Sequence, residues 1–378
     1  MAALTEEQAM VRDAARDWAR EQSPVSALRK LRDSGAELGF DPDAWSAISQ
    51  MGWPGVVVPE AYGGSDFGYL ALGAILEETG RTLTASPLVA SALVAASALT
   101  LGGSPEQKDR WLRPIASGAL IGGLALEEGP RHAPERTALK AEASAGGWRL
   151  DGAKTFVLEG MAAGLFVAAA RTSGSPGETH GLSLFLIPAD AKGLARRRLA
   201  LMDSRGAASL SFEGVQAGPD QLLGEAGHGW PLLERVLDRG RAGLAAEMLG
   251  AATQAFEMTV DYLKIRVQFG QPIGAFQALQ HRAAWMHTEL ELARSAVEAA
   301  LQGLDDGAPE VPELVSLAKA KMGAVLRLVS NETIQMHGGI GMTDAHDAGL
   351  YLKRARVAEA AFGNEAYHRE RYARLHGF

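Results

Sequence analysis

The residues with both the type and the spacing to do chemistry are concentrated between positions 266 and 277, RVQFGQPIGAFQ. Gly270, Pro272 and Gly274 break a helical pattern there. Arg266 supplies a planar cation, Phe269 an aromatic face and Gln277 a side-chain amide. A guanidinium fork matches a pyrophosphate, a ring offers a packing surface, and an amide hydrogen-bonds. These groups can hold a dinucleotide without a glycine-rich strand–helix loop. They equally suit an arginine capping a helix C-terminus before an ordinary helix–helix turn. Spacing alone leaves both readings open.

Other routes to a cofactor or metal are poorly represented. No G-x-G-x-x-G follows a strand pattern. The chain has no cysteine, which removes disulfides, thiolate nucleophiles and Cys-ligated metals. His281 and His287 stand six apart in apolar helix, while His337, His346 and His368 are scattered. None has the spacing of a metal site. The run ARRR at 195–198 reads as a solvated loop. Lys and Arg total 37 against 45 Asp and Glu, so the formal charge of −8 argues against nucleic acid as a partner.

The elements that must position these residues follow from periodicity. A chain of 378 residues exceeds one ordinary core, so two or three domains are expected. Residues 1–120 read as helices, with Thr5 capping the first and further helices at 69–80, 86–101 and 105–117. The period then shortens. Strand character at 148–150, 155–158, 165–170, 182–187 and 209–212, punctuated by Gly, Pro and Asp, predicts a β domain over 121–225. The stretch 172–179 reads as an exposed hairpin loop. Helical periodicity returns and fills 226–378. The acidic, amphipathic start is unlike a signal peptide, and no run of about 18 apolar residues occurs. A soluble, cytoplasmic protein is expected.

A second motif, IQMHGGIGMT at 334–343, stands in register with the first. The pair RxxFGxPIxxFQ and IQxHGGxG resembles the acyl-CoA dehydrogenase family. VPEAYGG at 58–64 and SPEQKDRWLRPIASG at 104–118 extend the resemblance over essentially the whole chain. The resemblance implies an α+β fold: an N-terminal α-helical domain, a middle β-barrel or sandwich domain, and a C-terminal four-helix-bundle domain. It implies FAD as cofactor and oxidation of an acyl-CoA thioester between its α and β carbons. By motif match, Arg266 and Gln277 reach the FAD of a neighbouring subunit, with Phe269 beside them. Gln335, Gly338 and Gly339 match residues at the adenosine end, where glycine admits close backbone approach. Phe156 replaces a tryptophan as the wall against the flavin ring. The hydroxyls usual near that ring are replaced by Leu158 and Glu127. Asp238 and Arg241 match positions near the pantetheine and the active-site helix.

The proton-removing base is the open question. In many family members it is a Glu in a turn near the C-terminus, where this chain has Phe362. A second known position, beside an arginine early in a long helix, holds Gly240. Glu247 lies seven residues on, nearly two turns, so it faces the same way as Gly240. Its helix neighbours Gly243, Leu244, Gly250 and Ala251 offer no cation. A carboxylate buried on such a face has the raised pKa that suits a base. Glu247 is therefore the expected base, ahead of Glu365 and Glu359. The family also implies an electron-transfer flavoprotein as electron acceptor and a homotetramer or heterotetramer. A non-catalytic subunit of a heteromeric dehydrogenase, or a related flavin oxidase or monooxygenase, are the alternatives.

Overall fold

The computed structural model describes residues 4–378, so only the first three residues of the acidic start lie outside it. The chain opens with α1 (Glu6–Gln22), α2 (Val25–Ser34), α3 (Pro42–Gln50) and α4 (Tyr69–Arg81). A π-helix (Leu88–Ala95) runs into α5 (Ala96–Gly102), and α6 (Pro105–Ala116) follows. Next come β1 (Gly122–Ala125), β2 (Lys140–Ser144), β3 (Gly147–Leu158), β4 (Leu165–Arg171) and β5 (Leu182–Pro188). β6 (Leu194–Arg198), β7 (Ala207–Ala217) and the short β8 (Leu222–Leu223) complete that set. After α7 (Trp230–Ile265) come β9 (Val267–Gln268) and β10 (Gln271–Pro272). The chain ends in α8 (Gln277–Asp305), α9 (Val311–His337), α10 (Ala348–Ala360) and α11 (Glu365–Leu375).

Local chemistry sets several boundaries. Thr5 and Gln8 close a capping box on α1, and Ser104 and Gln107 close another on α6, where Pro105 occupies the first turn. Both satisfy amide groups that a helix start leaves unpaired. β4 and β5 are buried almost throughout and read as continuous apolar runs, whereas β3 mixes exposed and buried positions and shows period two only weakly.

By packing, the chain forms two compact units that cut across the sequential blocks. One comprises residues 1–29, 69–84 and 241–378, the other residues 30–68 and 85–240. The first unit is helical. Its α4 and α7 touch backbone to backbone: a methyl group on Gly250 would sit 1.8 Å from the Glu77 carbonyl oxygen, and one on Gly80 2.2 Å from that of Glu247. Glycine at both positions lets the helices approach. Arg294 to Glu77 at 2.6 Å and Arg16 to Glu78 at 2.7 Å tie the same region.

The second unit is built on an eight-stranded sheet in the order β6-β7-β3-β2-β4-β5-β8, with β1 alongside β4. Phe166, Phe185 and Phe212 fill its core. The 172–179 segment is the connection of the antiparallel pair β4–β5. Residues 195–198 are not a loop: they form edge strand β6, paired with β7, and Arg196 donates to the carbonyls of Met161 and Ala163 at 3.1 Å. The π-helix and the start of α5 are buried throughout, from Leu88 to Leu99. Their small side chains serve a tight crossing, since a methyl on Gly122 would meet the Ala95 methyl at 2.4 Å. Among the described residues no helix is long and apolar enough to cross a membrane, and no cluster could hold a metal ion.

Candidate functional site

The 266–277 segment is a short two-stranded arm rather than a plain turn. Gln268 pairs with Gln271 and Val267 with Pro272, and Phe269 adopts φ 52° at the tip. Phe269 is 91% exposed. Arg266, Gln277 and Gln335 are exposed too, and their side chains make no hydrogen bond or ion pair among the described residues. Gly338, with φ +62°, and Gly339 have nothing within 4 Å of where a side chain would begin. The helical unit thus presents a cation, a ring, amides and bare backbone, all outward and unengaged. That set fits a dinucleotide supplied from outside the unit.

Phe156 lies in the sheet unit at a bulge in β3, between its β7 partners, with φ 50° and its ring 46% exposed. The amide of neighbouring Thr155 donates to the Glu127 carbonyl at 2.7 Å. Glu127 itself is engaged: its Oε1 lies 2.5 Å from His132 Nδ1. Glu128 holds the same turn, accepting from the Ala138 and Leu139 amides and from Lys154 Nζ at 2.7 Å. Burial pushes the Lys154 amine down, with Glu128 opposing. The turn beside Phe156 is therefore rigid and carries a carboxylate–imidazole pair, which sequence reasoning missed.

The carboxylates considered as bases are all paired. Glu247 is buried, but Arg354 of α10 places Nε and Nη2 each 2.9 Å from its Oε1. No cation stands three or four residues away on its own helix; the one that pairs with it arrives from another helix, 107 residues on. This corrects the expectation of an unaccompanied carboxylate. Glu359 meets Arg327 at 3.0 Å, and Glu365 meets Arg327 at 2.5 Å and Arg369 at 2.8 Å.

Position 362 is instead occupied by a buried phenylalanine at φ 57°. Its carbonyl accepts from Arg241 Nε at 3.2 Å and faces His368 Nε2 at 3.1 Å. Arg241 is fully buried and also reaches the Tyr367 hydroxyl at 3.2 Å. It braces this turn from within rather than lying open to solvent, and Asp238 on the same helix is buried as well. Lys319 adds a third brace, donating to the carbonyls of Ala358, Glu359 and Gly363 at 2.9–3.1 Å. Burial, with Arg241 and Arg354 adding and Glu359 opposing, pushes its amine down to about 7. Burial among Arg241 and Lys319 also lowers the His368 imidazole. Lys319 left a signal in the sequence: a lysine with Val315 and Met322 four residues before and three after faces an apolar stripe.

An N-terminal helical block, a β sheet and long C-terminal helices, with an exposed two-stranded arm and a braced turn near the C-terminus, define a flavin-dependent oxidoreductase fold. The chain belongs to the acyl-CoA dehydrogenase family: the models of its N-terminal, middle and C-terminal domains match residues 5–119, 131–215 and 227–375. FAD is the cofactor of this family. An acyl-CoA dehydrogenase of Bacillus subtilis (strain 168) is 30% identical over 379 residues, covering 97% of each chain. A variant of the Tcur3481–Tcur3483 steroid ACAD superposes with TM-score 0.88 at 31% identity, covering 98% of this chain and 97% of that one. The ChsE4–ChsE5 complex from Mycobacterium tuberculosis gives TM-score 0.90 at 25% identity, covering 100% and 99%.

Proposed function

We propose that this chain works in an FAD-dependent acyl-CoA dehydrogenase as the subunit that grips a neighbour's dinucleotide, without supplying the carboxylate that removes the α proton. One observation carries this reading: Glu247, Glu359 and Glu365 are each ion-paired, and position 362 holds a phenylalanine. An oxygen that already accepts from a guanidinium is a poor acceptor for a substrate proton. The exposed arm supports the gripping role. Arg266 would pair with the pyrophosphate, Gln277 and Gln335 would hydrogen-bond, Phe269 would pack alongside, and Gly338 and Gly339 would admit the adenosine end. The flavin, when bound, accepts the hydride from the β carbon. The base then belongs to a related chain in the same oligomer. The two-component names of Tcur3481–Tcur3483 and ChsE4–ChsE5 are in keeping with such an assembly.

The test is anaerobic titration with straight-chain, branched and cyclic acyl-CoA thioesters while the flavin spectrum is followed. The chain purified alone should leave the flavin oxidised, and co-expression with a related, carboxylate-bearing subunit should restore bleaching. Bleaching by the chain alone overturns the division of labour. The burial of Glu247 on a small-residue face of α7 favours a second reading, a self-sufficient homotetramer with Glu247 as base once Arg354 withdraws. In that case Glu247→Gln abolishes bleaching while FAD stays bound.

A further inference from the structure

The two motifs of the dinucleotide grip are far apart in sequence, yet one stack of rings joins them. Tyr262 lies one turn before the arm, and the Arg266 amide donates to its carbonyl at 2.9 Å. His337 immediately precedes the exposed Gly338–Gly339 backbone. The Tyr262 and His337 rings stack at 4.4 Å between centroids with 28° between planes. His346, from the turn before α10, packs against His337 at 4.3 Å.

The hydrogen bonds fix the tautomers. His337 Nδ1 lies 2.7 Å from the Thr333 carbonyl, which can only accept, so Nδ1 carries the proton. Its Nε2 is then a bare acceptor, buried and without a hydrogen-bond partner. His346 Nδ1 accepts the Ala348 amide at 3.2 Å. A second proton on His337 would bury an unanswered N–H and a charge against a ring able to charge itself.

We propose that Tyr262, His337 and His346 form a brace that locks the Arg266 arm to the glycine backbone, and that protonation of His337 releases it. His337 is a positioning residue: it acts through Gly338 and Gly339 and through Tyr262. The groups facing it are Tyr262 from α7, Thr333 from its own helix, and His346. Beside His346, Asp347 is paired with Arg29 at 2.8 Å. Burial foremost, and His346 second, lower the His337 imidazole from its ordinary 6.5, while the Thr333 carbonyl opposes them. The folded state thus favours neutral His337. The brace is intact above the ordinary value and is lost as pH falls through the lowered one.

The dinucleotide role rests on the reading under Proposed function, but the brace can be tested without flavin. Amide hydrogen exchange is measured at about pH 7.5 and about pH 4.5, about two pH units below the ordinary imidazole value, corrected for intrinsic rates, on wild type, His337→Phe and His337→Ala. In wild type, exchange across residues 338–343 and at the Arg266 and Ile273 amides should rise about tenfold at the lower pH. His337→Phe keeps a ring without a titrating nitrogen and should stay protected at both. His337→Ala should exchange fast at both, in the arm as well as the glycine segment. FAD retention on dialysis should follow the same pattern. Wild-type protection that is flat with pH overturns the proposal, as does a pH response retained by His337→Phe. The expected exchange pattern with no FAD retained by any form upholds the brace and removes the dinucleotide reading.

Discussion

Arg354 closes on Glu247 with two nitrogens 2.9 Å from one carboxylate oxygen, and both side chains are buried. The pair joins the long helix α7 to α10 at the level of the glycine crossing with α4. A buried ion pair of this kind contributes little over an apolar replacement, but breaking it leaves one charge unanswered.

Removing one partner should therefore be costly. Glu247→Gln is expected to lower stability by about 3–5 kcal/mol by stranding the Arg354 guanidinium. Urea unfolding at neutral pH measures it. The double variant Glu247→Met with Arg354→Met should lose much less than the two single changes added together. Additive losses would show that the two residues are not coupled.

The arm should behave in the opposite way. Arg266 is exposed and makes no contact that the fold needs, so Arg266→Ala should change stability by less than about 0.5 kcal/mol. FAD content on purification should nonetheless fall sharply. A melting curve and a flavin absorbance ratio on the same sample separate the two effects.

Lys319 gives a pH signature with a definite sign. Its folded value is depressed to about 7 from 10.5, so between those limits the unfolded chain holds a proton that the folded chain has released. The contribution of this group to stability must rise with pH across that window. Urea midpoints for wild type should climb relative to Lys319→Met from about pH 7 toward pH 10.5. Parallel curves would mean that the amine stays charged throughout.

The helix crossing sets a steric test. Gly250→Ala would drive a methyl to 1.8 Å from the Glu77 carbonyl oxygen, and neither backbone can yield locally. A loss of about 1–3 kcal/mol or more is expected by overpacking, read from thermal unfolding. A silent substitution would show that the helices can slide apart.

Periodicity carried most of the architecture. The strand pattern at 165–170 and 182–187 lies within β4 and β5, and helices at 69–80 and 105–117 match α4 and α6 to within a residue. Strand character at 148–150 and 155–158 proved to be one long strand, because Gly152 continues the ladder opposite Phe212 at φ 143°, a backbone conformation that residues with side chains rarely adopt. The outward placement of Arg266, Phe269 and Gln277 was legible because residue type and a broken helical pattern are encoded locally. What stayed hidden was pairing across helices. Glu247 has no basic neighbour on its own face, and nothing local says that Arg354 will arrive there. The same holds for the stack of Tyr262 on His337, since neither ring announces its partner.

Phe269, 91% exposed on its two-stranded arm, keeps a whole aromatic ring in water. A large apolar ring held in water at the end of a projection is surface that any partner contact would gain by burying. On the proposed reading, the contact through which the arm holds a neighbour's dinucleotide would also take this ring out of water.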